Sequence, residues 1–195
     1  MLAHYMNDKE YTNEILNGDI HSANQRLAGL ESRNQAKTFI YAFLYGAGNA
    51  KIGSVVKAGQ SRGKQLREQF LNSLPSLKSL IQRVQRDSKK GFLKGLDGRK
   101  VTVRSEHAAL NTLLQSAGAI VMKEALVVLE KKIRHLDAKF VANVHDEWQI
   151  ECKEQDAEAV GQAGIDAIVE AGKNLNLNCP LDGDFNIGDG WHETH

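Results

Sequence analysis

The amino-acid sequence predicts an α+β fold, mostly helical at first and then built from antiparallel hairpins with flanking helices. Helix starts with polar caps crowd the region before Phe92, and strand–turn–strand patterns begin only there. No internal repeat or low-complexity segment suggests a solenoid or an array.

The elements follow in order. Asp8 and Glu10 read as loop. Asp19 is placed to N-cap a helix running through His21 to Leu27. Ser32 is placed to cap a second, Arg33 to Tyr45, which Gly46-Ala47-Gly48 ends. Two further helical stretches span Gly63 to Leu74 and Pro75 to Ser88, the latter with proline in a tolerated first-turn position. Phe92-Leu93-Lys94-Gly95 and Lys100-Val101-Thr102-Val103-Arg104 flank Asp97-Gly98, a hairpin-turn signal. A long apolar-periodic helix is expected from about His107 to Arg134. Phe140 to Val144 and Trp148 to Cys152 read as strands joined through His145-Asp146-Glu147. A helix over Ala157 to Ala171 and a Gly-rich tail with a short strand close the chain.

With 195 residues, 42% hydrophobic and 25% charged, the composition is that of an ordinary globular chain with one large or two small domains. No uninterrupted run of about 18 apolar residues exists, so no membrane partner is expected. Met1-Leu2-Ala3-His4-Tyr5 lacks the basic flank and apolar segment of a signal peptide. Cys152 and Cys179 are too few for a disulfide framework or a zinc site, which fits a reducing cytoplasm.

A net charge of +1 hides an asymmetry. From Arg33 to Arg104 sixteen Lys/Arg face three acids, whereas from Lys139 to His195 three lysines face twelve. A basic stretch of that size suits a polyphosphate or a nucleic-acid backbone, and equally a set of solvated helix faces.

Arg33, Lys37, Tyr41 and Tyr45 recur every fourth residue, forming one helix stripe of roughly 18 Å. Ala36, Phe39, Ile40, Phe43 and Leu44 take the core-facing positions. The stripe thus offers two cations near the helix N-terminus and two rings beyond them, the order of a nucleoside triphosphate. An amphipathic helix with boundary tyrosines has the same spacing. Asp146 and Glu147, at the tip of an apolar hairpin, can present hard oxygens to a divalent cation, although acids are also ordinary in turns. Asn111 and Gln115 lie four apart before the small run Ser116-Ala117-Gly118-Ala119. Amides beside small residues can meet the acceptors that every base pair shows in the minor groove, or merely border a packing groove.

The string Arg33-xxx-Lys37-xxx-Tyr41-xxx-Tyr45-Gly46, with Gly18-Asp19-Ile20-His21 before it, resembles the fingers helix of family A (polymerase I type) DNA polymerases. The string Ala36 to Gly48 is similar to that of replicative polymerases of short-tailed phages, as is Gly95 to Ala119. Val144-His145-Asp146-Glu147-Trp148 resembles the family's second metal-binding motif, and Ile187 to His195 its C-terminus. The resemblance implies residues 1–105 as fingers, opening on the end of a palm helix, and 106–195 as the C-terminal part of the palm.

It also implies roles. Arg33, Lys37 and His21 hold the incoming triphosphate, Tyr41 packs on its sugar and base, and Tyr45 stacks at the template position. Tyrosine at position 41 implies acceptance of chain-terminating dideoxynucleotides. Asp146 is implied as a metal ligand, with Glu147 a less direct catalytic participant and His145 at the primer terminus. Arg99, Lys100, Arg104, Asn111 and Gln115 contact DNA. The activity implied is template-directed nucleotidyl transfer with two Mg²⁺ ions, acting on primer-template DNA and dNTPs in a bacterial or phage-infected cell.

The family's first catalytic aspartate has no counterpart among the matching residues. An N-terminal remainder carrying the rest of the palm, the thumb and any exonuclease is therefore an expected partner. The alternative is a non-catalytic module that binds DNA or nucleotide. A purely helical interaction protein would make several motifs in the family's order a coincidence. Palm strands without that remainder leave an edge prone to association.

Overall fold

Polar caps start the helices where the sequence marks them. The computed structural model describes Met1–Thr194, so His195, the last residue of the C-terminal string, lies outside the described residues. The chain divides into two compact units, one up to Gln115 and one from Ser116.

The first unit opens with α1 (Leu2–Met6) and α2 (Lys9–Asn17). The segment read as loop at Asp8 and Glu10 is the start of α2: the Asp8 carboxylate accepts from the Tyr11 N–H at 3.0 Å, and Glu10 lies in the first turn. Next come α3 (Ile20–Ala28), capped by Asp19, and α4 (Arg33–Leu44), capped by Ser32. At the end of α4, Gly46 takes φ +77°, Ala47 N–H bonds Ala42 C=O at 2.9 Å and Gly46 N–H bonds Phe43 C=O at 3.0 Å. These two bonds close the helix end, and only glycine enters that conformation without cost. The close approach of His107 C=O leaves no room for a Cβ there either.

Short α5 (Asn49–Ser54), which the sequence reading missed, crosses α6 (Gln60–Ser73), and α7 (Pro75–Ser88) follows. The crossing rests on two glycines. A Cβ on Gly63 would run into the Asn49 carbonyl, and one on Gly53 into the Gly59 carbonyl. Arg67 of α6 reaches across to the Ala47 carbonyl and the Asn49 side chain, its guanidinium 5.2 Å from the centre of the Phe43 ring.

The core of this unit joins Phe39 and Phe43 of α4 to Phe70 of α6 in edge-to-face contact at 5.2 and 5.4 Å. Ala36, Ile40, Leu66, Leu77, Leu80 and Leu113 complete it, and Leu44 packs on it half-buried. Strands β1 (Phe92–Lys94) and β2 (Lys100–Thr102) pair antiparallel. Their connection is a turn over Leu96-Asp97 with Gly98 at φ +87°, closed by Gly98 N–H to Gly95 C=O at 3.0 Å. A 3₁₀ turn at Glu106–Ala108 leads into α8 (Ala109–Ile133), which continues into the second unit.

There, β3 (Ala138–Val144) pairs antiparallel with β4 (Glu147–Cys152). Val144 faces Glu147, so the turn holds only His145 and Asp146, and Glu147 belongs to the strand rather than to the turn. The register slips between Phe140 and Ala142, leaving Val141 as a bulge. Trp148, Ile150 and Cys152, at alternate positions, pack on Val128, Leu129 and Ile133 of α8 and Val160 and Ala167 of α9 (Ala157–Asn174).

The short strand expected in the tail is absent among the described residues; irregular chain runs instead to α10 (Trp191–Thr194). The tail packs across α9. Leu181 lies against Gly172, Gly183 against Ile168 and Phe185 against Gly161, so Leu181 and Phe185 are spent on the helix and no strand edge is engaged among the described residues. The stretch Glu106–Ile133 contains an 18-residue window of mean hydropathy 1.5, long and apolar enough for a membrane span by composition. Leu113 and Leu129 on it are core residues of the two units.

Candidate active site

The cationic stripe is built by the amphipathicity of α4. Phe39, Ile40 and Phe43 are buried, which turns Arg33, Lys37, Tyr41 and Tyr45 outward, all four exposed, the two tyrosines at 51% and 62%. Arg33 sits in the first turn, where N–H groups and the helix dipole favour an anion.

Asp19 binds this stripe to α3. Its carboxylate accepts from the His21 backbone N–H at 3.0 Å, from the Ser22 hydroxyl at 2.7 Å, and from Arg33 Nε and Nη2 at 2.7 and 3.2 Å. The Arg33 guanidinium, then the Ser22 hydroxyl, hold that carboxyl far below the usual carboxylate range. His21 and Arg33, expected to share a phosphate, are thus both anchored to one carboxylate. His21 Nδ1 is buried with no hydrogen-bond partner.

Gln115 of α8 donates from Nε2 to the Tyr45 hydroxyl at 3.3 Å, while Asn111, one turn before, is half-buried. Arg99, Lys100 and Arg104 are exposed on and after the β1–β2 hairpin. Arg99 is paired with Asp97 at 2.6 Å, and Lys100 Nζ lies 4.8 Å from the centre of the Phe92 ring.

In the second unit the two-residue turn presents Asp146 exposed, beside His145 at φ +55°. Histidine tolerates this left-handed region better than most side chains. Glu147 and Gln149 share the face of β4 opposite Trp148 and Ile150. Gln149 Nε2 donates to Glu147 Oε1, and the Thr194 hydroxyl donates to Gln149 Oε1 at 3.2 Å, so the C-terminal helix braces the side chain that orients Glu147. Carboxylate oxygens suit a hard divalent cation. Among the described residues, however, no group of three or more His, Cys, Asp or Glu is gathered to hold one.

The sequence reading missed Arg67, Gln149 and the pairing of Asp19 with Arg33. Glu147 and Gln149 at i and i+2 of a strand could have suggested their contact. The Asp19 and Arg33 pairing is tertiary and left no local signal.

Comparison with known proteins extends this geometry. The family described as DNA polymerase family A matches residues 1–193. The DNA-directed DNA polymerases of Enterobacteria phage T3 and Escherichia phage T7 are each 43% identical over 221 aligned positions, which cover 100% of this chain and 31% of theirs. The DNA polymerase I of Aquifex aeolicus is 30% identical over 83% of this chain and 30% of its own. The chain therefore spans about a third of the length of these relatives. In fold, it is similar to the POL domain of Pol1 from M. smegmatis, solved in complex with DNA primer-template and dNTP, with a TM-score of 0.80 over 93% of this chain and 36% of that one at 21% identity.

Proposed function

We propose that this chain, which belongs to DNA polymerase family A, is the fingers and C-terminal palm portion of a DNA-directed DNA polymerase, residues 1–105 and 106–195 respectively. The observation that carries the reading is the exposed Arg33-Lys37-Tyr41-Tyr45 stripe, held on a buried aromatic face.

Arg33 and Lys37 would hold the triphosphate of an incoming dNTP, Arg33 as a two-edged donor and Lys37 as a point charge. His21 joins them at the phosphates. Tyr41 provides a flat surface for the sugar and base, and Tyr45, linked to Gln115, marks the template position. Asn111 and Gln115 would test minor-groove acceptors, which report pairing shape and not sequence. Arg99, Lys100 and Arg104 would bind the backbone of primer-template DNA.

Asp146 would hold Mg²⁺, with Glu147, steadied by Gln149, acting close by and His145 at the primer terminus. When bound, two such ions favour deprotonation of the primer 3′-hydroxyl and offset charge on the departing pyrophosphate. This chain gathers only part of their ligands, so a further carboxylate from an N-terminal remainder of the polymerase completes the set. The same shortfall favours the second reading, a module that binds DNA and nucleotide without chemistry.

Primer extension with Mg²⁺ separates the two. The purified chain is assayed alone and mixed with a polypeptide carrying the remaining palm and thumb. Extension in the mixture, abolished by Asp146→Ala, supports the polymerase reading. Retention of DNA without extension in either tube supports the binding module.

A further inference from the structure

The cation at the head of the stripe already has an anion. Asp19 engages Arg33 through two of its donors, Nε and Nη2, at 2.7 and 3.2 Å. Guanidinium carries five N–H groups, so three remain. The carboxylate itself is immobilised, because the His21 N–H and the Ser22 hydroxyl fix it as the cap of α3. It cannot follow Arg33 if the side chain swings away. Arg33 is less confined by comparison, with 53% of its long side chain exposed. A fixed carboxylate against a movable cation is a two-position device: Arg33 rests on Asp19, or it turns its fork to another anion.

We infer that Asp19 is a specificity-determining competitor for Arg33, occupying its nucleotide-free position and setting how strongly a phosphate chain must attract it. The inference rests on the reading of α4 as the triphosphate-binding helix. Phosphate binding then exchanges one charge-assisted bidentate pair for another. An incoming triphosphate meets the Asp19 charge as well as Arg33 and Lys37, so a polyanion with several charges displaces the pair while a monoanion does not. Asp19 stays ionised throughout the neutral range, since Arg33 and Ser22 hold its carboxyl far below ordinary acidity. The Asp19 side of the competition therefore keeps its charge through the neutral range, and salt weakens it.

The test is affinity for dGTP and for inorganic tripolyphosphate, each with Mg²⁺, by equilibrium dialysis on the full chain. Asp19→Asn removes the charge and keeps a helix cap of equal quality. It is expected to tighten both ligands about threefold to fivefold, the scale of an exposed ion pair. In an Arg33→Ala background the same change should tighten binding far less, by no more than the relief of direct repulsion between Asp19 and the phosphates. Asp19→Ser, another capping residue, should reproduce the tightening if Asp19→Asn melts early in circular dichroism. Unchanged or weaker binding by both variants overturns the inference, as does equal tightening in the Arg33→Ala background, which would mean a general charge effect. If the parent chain binds neither ligand, or loses nothing in Arg33→Ala and Lys37→Ala, the reading of α4 fails and the inference with it. Loss in those two variants with no gain from Asp19→Asn sinks the inference alone.

Discussion

Phe70 is the residue through which the presentation of the cationic stripe can be tested energetically. It is fully buried and meets Phe39 and Phe43 edge-to-face, with interplanar angles of 88° and 80°. Truncating a buried phenylalanine to alanine costs roughly 3–5 kcal/mol, transfer and cavity together. Each aromatic pair lost adds about 0.5–1.5 kcal/mol beyond the buried area. Some of the cavity can be filled by collapse of Leu66 and Ile52, so Phe70→Ala is expected near 4 kcal/mol. Phe70→Leu, which keeps most of the apolar volume, is expected near 1.5 kcal/mol. A domain stable by about 5–15 kcal/mol would be left marginal by the first change and sound after the second. Urea unfolding followed by far-ultraviolet circular dichroism measures both, and amide exchange locates the weakening, which should centre on α4 and α6. The leucine variant should also retain nucleotide affinity, since it leaves α4 seated. A loss under about 1 kcal/mol for Phe70→Ala, or equal loss of nucleotide affinity in both variants, would refute the idea that this aromatic contact seats the helix.

Other expectations are simpler. Asp8 caps α2 and accepts from the Ser76 hydroxyl at 2.7 Å, and these bonds, with the Tyr11 N–H foremost, hold its carboxyl below its ordinary value of 3.8. A depressed folded value contributes stability above the unfolded one and loses it as pH falls through the folded value, so its share fades only below about pH 4. Asp8→Ala should cost about 1 kcal/mol at neutral pH, and the melting curves of parent and variant should converge in acid. Gly63→Ala drives a methyl into the Asn49 carbonyl and should cost roughly 1–3 kcal/mol or unseat α5, read as a lower melting temperature. Val141→Lys charges an exposed bulge on the open side of β3, and sedimentation should show less concentration-dependent association than for the parent.

What the sequence disclosed and what it withheld divide along a physical line. Asp19, Ser32 and Pro75 announce their helices because capping and ring geometry act within a few residues. The run Trp148 to Cys152 announces a strand, and the fold then packs its alternate residues Trp148, Ile150 and Cys152 on one face. The α4 stripe was legible at a period of 3.6. Features set by distant contacts were not. Short α5 forms because Gly53 and Gly63 let backbones meet, and its own propensity is unremarkable. Asp8 looked like loop because two helices of modest length abut there. The tail forms no strand because glycines on α9 accept its Leu181 and Phe185 side chains, a contact between distant parts of the chain. At the candidate site, residue types and their periodicity could be read. The partners that orient them, Asp19 for Arg33 and Gln149 for Glu147, required the fold.

The two units carry charge of opposite sign: eighteen Lys/Arg against nine acids up to Gln115, and seven against fifteen from Ser116 onward. Nucleotidyl transfer needs groups that attract phosphate oxygens and groups that attract metal ions, and no side chain serves both. Arg33 and Lys37 repel a cation; Asp146 repels a phosphate unless a cation lies between them. On the proposed reading, assigning the two tasks to separate units would let each be electrostatically consistent, because like-charged neighbours raise the potential that its ligand feels. An acid set among the cations works against that gain, and Asp19 is such an acid, paired to the cation that heads the stripe. A capping role alone does not require the charge, since serine or asparagine caps as well. The carboxylate is therefore better explained by what it does to Arg33 than by what it does for α3.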